Sequence, residues 1–329
     1  MPLAANECWF DVKALFAGLD VPEPIDIDSD IRLEQIFPAN LIAQAAKMAG
    51  QVLLGVPSPD RDLDLSPPVY GLTYRVKGKR LFGTPDDQLK SVSDYNAAQI
   101  DAPRTAFRRA TALIHSVDLV HAGTFVWETD AFSKKRLFSY QFNTGTLSVD
   151  YHAAYYGPEN SSDLKALFAD AMHPYLKEDG APIGVAIDRM GKASSRESFV
   201  DANLDLSIAA EVAFLFGLKR TKNEEITKTL ELHAGLFFGD GEFFWSREQL
   251  RDIVARSYKE RSNTVHGRKF DDPARHDLMI GLNAQLRETL RHVLRAYVER
   301  KPSRRLARQT WKQRIDDFDK EKSLGKIFA

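Results

Sequence analysis

The sequence predicts an α+β protein, with a mixed domain containing an antiparallel sheet over residues 1–185 and an all-α four-helix bundle over residues 196–300. Segments that alternate apolar and polar residues, separated by turn residues, are concentrated in the first part. Four amphipathic segments with short connections follow residue 196, a pattern typical of an antiparallel bundle. A charged tail covers residues 301–329.

The composition is that of a soluble globular protein, with 43% hydrophobic and 28% charged residues in a chain of 329. Because the formal net charge is −1, a nucleic-acid partner would have to bind a local basic patch. The single cysteine, Cys8, excludes an internal disulfide and a cysteine-rich metal site. The N-terminus lacks a secretory-signal pattern and no apolar run could cross a bilayer, so we expect a cytoplasmic protein that does not enter a membrane.

The first domain is predicted to combine strands with intervening helices. The predicted strands cover residues 69–76, 119–129 and 134–157, with the turn Asn143-Thr144-Gly145 inside the last segment. The predicted helices cover residues 41–55, 105–117 and 161–176, the last of which should stop near Pro174.

The bundle is predicted from four segments with helical periodicity. These segments are 199–217, terminated by Gly217; 223–238; the stretch from the cap Ser246 to Val265; and 276–300. Ser246 with Gln249 three residues later forms a capping-box signature at the start of the third helix. The tail starts strongly basic, and its arginines and lysines could contact an RNA backbone or form a solvated helical face.

Arg261 lies where the apolar stripe of the third helix would place another aliphatic residue. A guanidinium keeps its charge, so it must meet a carboxylate, a partner subunit or an anionic ligand. Glu211 likewise lies on the apolar face of the first bundle helix, where helical spacing would place another aliphatic residue. The simplest interpretation is that the two side chains form an ion pair, which could be purely structural or could also orient Arg261.

The first bundle helix contains Leu206-Ser-Ile-Ala-Ala-Glu211-Val-Ala-Phe-Leu215, and about fifty residues later the chain reads Tyr258-x-x-Arg261-Ser262-x-x-Val265-His266-Gly267. With these two segments, residues 196–300 resemble the Apea-like branch of the HEPN superfamily. The resemblance implies a metal-independent endoribonuclease, without a cofactor, built by a homodimer of helical bundles. It also implies a setting such as antiviral defence, a toxin–antitoxin system or RNA processing.

The residue types fit that chemistry. The imidazole of His266 can act as a general acid or base, and Arg261 can stabilise negative charge on a phosphorane-like transition state. Either Ser262 or Asn263 is expected to position the scissile phosphate, with Glu211 orienting Arg261. Ser262 departs from the general superfamily pattern, which favours Asn, Asp or His after the arginine.

Further candidates for substrate binding are Tyr258, Arg268 and Arg275, where Tyr258 could instead be a core aromatic. Five residues of helix leave Arg261 and His266 roughly 140° apart, so they converge only if the helix ends between them. Gly267 is a plausible terminator, and two such helix ends at a two-fold axis would form one cleft.

The alternative function is a non-catalytic HEPN-like scaffold for dimerisation and for binding RNA or another ligand. If the protein is a nuclease, the N-terminal domain is expected to sense a trigger, such as a regulatory ligand or protein, or to hold the nuclease in check.

Overall fold

The computed structural model describes residues 7–17, 19–37, 69–79, 87–115, 119–129, 135–142, 154–218, 226–238, 243–266 and 273–327. The chain divides into two compact units. The first comprises residues 1–108 and 119–172, and the second comprises residues 109–118 and 173–329. This division differs from the expected one, because the second unit already begins before residue 185 and includes the charged tail.

The first unit contains an antiparallel sheet, as the sequence predicts. The strands of this unit are β1 Glu7–Ala17, β2 Leu19–Asp20, β3 Ile25–Asp28, β4 Ile31–Ile36, β5 Val69–Lys79, β6 Val120–Thr129, β7 Lys135–Phe142 and β8 Ala154–Tyr155. The sheet has the order β3-β4-β5-β1-β6-β7, while β2 and β8 form a separate parallel pair. The predicted strands at 69–76 and 119–129 are thus confirmed, and β7 and β8 lie within the predicted strand segment 134–157. Strands β1, β2, β3 and β4 were not expected.

The helices of the first unit pack against buried residues of this sheet. They are α1 Asp87–His115, of which residues up to 108 belong to this unit, and α2 Pro158–Met172. Phe107 lies against Phe16 of β1, with ring centroids 5.2 Å apart, and Tyr74 donates a hydrogen bond to the carbonyl of Ile100 at 2.6 Å. The predicted helix 41–55 and the turn at Asn143 lie outside the described residues.

The second unit is helical. A 3₁₀ turn at Pro174–Lys177 precedes α3 Ala181–Ser194, α4 Phe199–Leu215, α5 Ile226–Phe237, α6 Arg247–Val265, α7 Pro273–Arg300 and α8 Arg304–Ile327. The apolar helix α4 contacts α3, α5, α6 and α7 and so forms the centre of this unit. The four predicted bundle helices are therefore present, and α3 and α8 pack with them.

Local signals place the ends of these helices as expected. The Ser246 side chain accepts a hydrogen bond from the Gln249 amide at 3.2 Å, and the Gln249 side chain accepts one from the Ser246 amide at 2.8 Å. This is the predicted capping box. Gly217 follows α4 with a positive φ of 86°, the conformation that favours glycine after a helix.

The expectation of a simple antiparallel bundle is wrong for α4 and α7. Asn203 of α4 donates to Asn283 of α7, and Tyr297 further along α7 donates to the carbonyl of Ala213 further along α4. The residue numbers of the contacts increase along both helices, from Asn203 with Asn283 to Ala213 with Tyr297. Helices α4 and α7 therefore run in the same direction.

The tail is a helix rather than a solely charged extension. Within α8, Ala307 and Trp311 are buried, and Trp311 stacks on His233 of α5 with ring centroids 4.3 Å apart. Periodic apolar residues among the charges therefore anchor α8 to the second unit.

Candidate functional site

A cleft of about 670 Å³ lies in the second unit, where the end of α4 meets α5, α6 and the start of α8. Its charged and aromatic lining residues are Glu211, Tyr258, Arg261, Arg304 and Arg308. Its other lining residues are Pro182, Val212, Leu215, Phe216, Gly217, Leu218, Ile226 and Thr229. The volume is within the range of small-molecule and cofactor sites, roughly 300–1,000 Å³.

The predicted ion pair between Glu211 and Arg261 is confirmed. Arg261 Nη1 of α6 donates to Glu211 Oε1 of α4, and the side chains are 27% and 28% exposed. These exposures place the pair in the cleft rather than in the sealed core. Glu211 thus restricts the orientation of Arg261 while part of the guanidinium surface stays accessible.

Tyr258, one turn before Arg261, completes this part of the cleft. The Arg261 guanidinium lies over its ring, 5.0 Å from the centroid, in a cation–π contact. Burial, followed by the charge of Glu211, raises the pKa of Tyr258. The sequence left two alternatives for Tyr258, a core aromatic and an exposed stacking surface. The residue is half-buried, which is less than a core aromatic and more than a fully exposed ring.

Two arginines from the first turns of α8, Arg304 and Arg308, also line the cleft. Arg304 Nε donates to the carbonyl of Asp179 at 3.4 Å, and Arg308 Nε donates to the carbonyl of Gly217 at 2.9 Å. Both side chains are exposed. The backbone carbonyls thus hold one edge of each guanidinium.

Gly217 allows α8 to approach this closely. A Cβ at this position would lie 2.7 Å from the carbonyl oxygen of Arg304 and 3.0 Å from the Cβ of Ala307. The glycine therefore meets two requirements, a positive φ and the close approach of a second helix. The placement of Arg304 and Arg308 depends on it.

The cleft has an excess of positive charge. Three guanidinium groups and one carboxylate are among its lining residues, and that carboxylate is already bound to Arg261. Arginine presents a planar set of donors that matches carboxylate and phosphate groups. The arrangement is therefore suited to an anionic ligand.

His266 does not line this cleft. It is the exposed C-cap residue of α6, and its amide donates to the Ser262 carbonyl at 3.1 Å, so its backbone continues the helical path. The imidazole consequently leaves the helix roughly 140° away from Arg261. The helix ends at Val265, between Arg261 and His266 as expected, but His266 is not among the residues that line the cleft with Arg261.

The other predicted site residues are dispersed. Ser262 is exposed, whereas Asn263 is buried and donates to Glu260 Oε2 at 3.4 Å. Between the two alternatives for positioning a phosphate, this geometry favours Ser262. Arg268 lies outside the described residues, and Arg275 lies in the first turn of α7.

Sequence reasoning did not assign Arg304 and Arg308 to the site. The basic run after residue 300 was the available signal, but it offered no way to separate residues that enter the cleft from those in solvent. The four-residue spacing of Arg304 and Arg308 places both on one face of α8. Nearby Arg305 is exposed and does not line the cleft.

Among the described residues, no group of three or more His, Cys, Asp or Glu side chains is arranged to hold a metal ion. None of the helices in the described part of the chain is long and apolar enough to span a membrane. No family model, curated protein or solved structure matches the chain. The assignment to the Apea-like HEPN domains therefore stays a prediction that rests on the motif residues.

Proposed function

We propose that this protein is a metal-independent endoribonuclease of the HEPN type, which cleaves RNA by attack of a ribose 2′-OH on the adjacent phosphate. The observation that carries the proposal is the position of Arg261, which Glu211 holds in a cleft with excess positive charge. An exposed imidazole, that of His266, lies at the end of the same helix. Antiviral defence or growth arrest is the setting implied by the family resemblance.

The proposed reaction requires one base, one acid and stabilisation of charge. A base removes the proton of the 2′-OH, the 2′ oxygen bonds to phosphorus, and the bond from phosphorus to the 5′ oxygen breaks. The leaving oxygen takes a proton, so the products are a 2′,3′-cyclic phosphate and a 5′-OH. His266 supplies the acid or base, Arg261 stabilises the charge on the phosphorane-like transition state, and Ser262 positions the phosphate.

The proposed active unit is a homodimer. Since the imidazole leaves α6 roughly 140° from Arg261, His266 of one protomer would act with Arg261 of its partner. Such a site needs both subunits, which makes dimer formation a means of control. The first unit would sense a ligand or protein that regulates this association.

The direct test is cleavage of single-stranded RNA in the presence of EDTA. His266→Ala and Arg261→Ala should each lower the rate at least about 100-fold, because each removes one chemical role. Arg256→Ala is a matched control, since Arg256 lies on the same helix in an exposed pair with Asp252. Equal rates in all four proteins would contradict the site assignment, and wild-type products without a cyclic phosphate would contradict the chemistry.

A non-catalytic RNA-binding scaffold is the second candidate. The observation that favours it is the absence of His266 from the cleft that contains Arg261. This candidate predicts that the wild-type protein binds single-stranded RNA through Arg261 and leaves it intact. Binding without cleavage, at protein concentrations that support a dimer, would therefore select the scaffold.

A further inference from the structure

We propose that Arg304 and Arg308 of α8 bind backbone phosphates of the RNA strand and so extend the site of Arg261 onto the C-terminal helix. The identity of the ligand as an RNA strand rests on the proposed function. The assignment of these two arginines to an anion site rests on the cleft itself. The inference turns the start of the basic tail into a defined strand-binding surface.

Backbone carbonyls hold both arginines at Nε. Each Nε is bound to a backbone carbonyl, that of Asp179 for Arg304 and that of Gly217 for Arg308. Within the described part of the chain, no carboxylate forms an ion pair with either guanidinium. The contacts at Nε orient both groups and leave the Nη donors for a ligand.

The arginines at the start of α8 interact unfavourably with the positive end of the helix dipole. The positive end of the dipole of α8 lies at Arg304, and the first turn contains no acidic residue. Ser303 caps the helix by accepting a hydrogen bond from the Leu306 amide at 3.2 Å. A basic first turn is unfavourable in the free protein, and a bound anion would reverse the sign of that interaction.

The charge and the size of the cleft are suited to a short segment of a nucleic-acid strand. With Arg261 included, three positive charges face the single negative charge of Glu211. The excess of two positive charges equals the charge of two successive phosphodiesters, each of which carries one negative charge. A volume of about 670 Å³ lies within the range of sites for small ligands and is sufficient for a nucleotide unit.

The test is equilibrium binding of a short single strand that cannot be cleaved, such as a 2′-O-methyl oligonucleotide, measured by fluorescence anisotropy against the full-length protein. Arg304→Gln and Arg308→Gln should each weaken binding about fivefold at 0.1 M salt, because each removes one phosphate contact. The double variant should reduce the slope of log affinity against log salt concentration by about 1.4.

Arg305→Gln is the matched control, since this exposed arginine has the same charge on the same turn but does not line the cleft. It should leave both the affinity and the salt slope close to wild type. Equal losses in Arg305→Gln and the two cleft variants would overturn the proposal, because they would indicate a diffuse electrostatic effect. Circular dichroism melts show whether each variant is folded, and Arg304→Lys and Arg308→Lys, which keep the charge, should recover most of the affinity.

A second arm separates the strand from free phosphate compounds. Inorganic phosphate and a nucleoside monophosphate, at equal ionic strength, should displace the strand only at millimolar concentrations. Displacement at micromolar concentrations would overturn the assignment of the site to a strand.

The outcome also separates this inference from the proposed nuclease. If the wild type does not cleave RNA but the two cleft variants lose binding, the nuclease fails and the anion site stands. If the wild type cleaves RNA and the double variant binds normally, the nuclease stands and the anion site fails.

Discussion

Glu211 and Arg261 show what a single residue can reveal in a sequence. Each interrupts an apolar stripe, and a charge in such a place needs a partner. That argument was sufficient to predict the ion pair that the structure contains. It could not predict that the pair lines an open cleft, because exposure depends on helices from other parts of the chain.

Glu211→Gln should impair RNA cleavage more than it impairs folding. The pair is partly exposed, so its loss should lower the free energy of unfolding by only about 1 kcal/mol. The loss of a fixed Arg261 orientation should lower kcat by about 10- to 100-fold, since small misplacements of a transition-state contact are costly. Urea denaturation and steady-state kinetics measure the two effects, and Glu211→Asp should recover part of the activity.

Asp252→Asn supplies the control for that experiment. Asp252 pairs with Arg256 on the same helix, but the two side chains are 59% and 44% exposed and lie outside the cleft. Its loss should leave kcat and stability close to wild type. An equal loss of kcat in Glu211→Gln and Asp252→Asn would show that Glu211 has no positioning role.

His121 in the first unit should make stability depend on pH. Burial, followed by the charge of Arg104, lowers the pKa of His121 to about 4, whereas an unfolded histidine titrates near 6.5. Between these values the unfolded chain binds the proton and the folded chain does not, so stability falls as the pH drops from about 6.5 to about 4. Above about 6.5 this contribution is constant.

Urea midpoints across that pH range measure the effect. His121→Gln should make the dependence shallower, and the remaining slope should come partly from His233, whose pKa burial also lowers. An unchanged slope in His121→Gln would contradict the assignment.

At the scale of elements, regular periodicity predicted the helices well where nothing interrupted it. Helices α4, α5, α6 and α7 all lie where amphipathic segments and caps indicated. Helix α3 was missed because Gly184 and Gly191 are residues that weaken a helical pattern. Packing explains one of them, since a Cβ at Gly184 would lie 3.0 Å from the guanidinium of Arg109.

The first strand was missed for a different reason. Its buried and half-buried residues alternate from Cys8 to Ala14, but a bulge between Leu15 and Phe16 breaks the period. Beyond Ala14, Leu15 and Phe16 are both buried, so the alternation does not continue to the end of the strand. Only the pairing with β5 and β6 defines β1.

Gly217→Ala should test how α8 is placed. The positive φ and the close carbonyl of Arg304 both oppose a Cβ, so we expect a loss of more than about 1 kcal/mol in stability. Strand binding should weaken as well, because the substitution displaces Arg304 and Arg308. Gly281→Ala is the control, since open space surrounds that position in α7 and the change should be neutral or stabilising by up to about 1 kcal/mol. Equal stability of the two variants would contradict this account.

At the scale of the whole molecule, composition and patterning predicted an α+β chain with an antiparallel sheet and a helical part. They did not predict the direction of α7 relative to α4 or the return of α8 to the end of α4. Both features arise from contacts between residues far apart in the chain, such as Tyr297 with Ala213 and Arg308 with Gly217. The cleft is a product of those contacts, which explains why a local motif identified only one side of it.

The central claim is that Arg261 of one protomer and His266 of its partner act together, which we propose because His266 does not line the cleft that contains Arg261. The measurement that tests it most directly is RNA cleavage by an equimolar mixture of Arg261→Ala and His266→Ala protomers, refolded together. Each variant alone should be inactive, and the mixture should recover about a quarter of the wild-type rate, because half of the dimers would contain one intact composite site out of two. A mixture as inactive as its two components, alongside an active wild type, would contradict catalysis across the dimer.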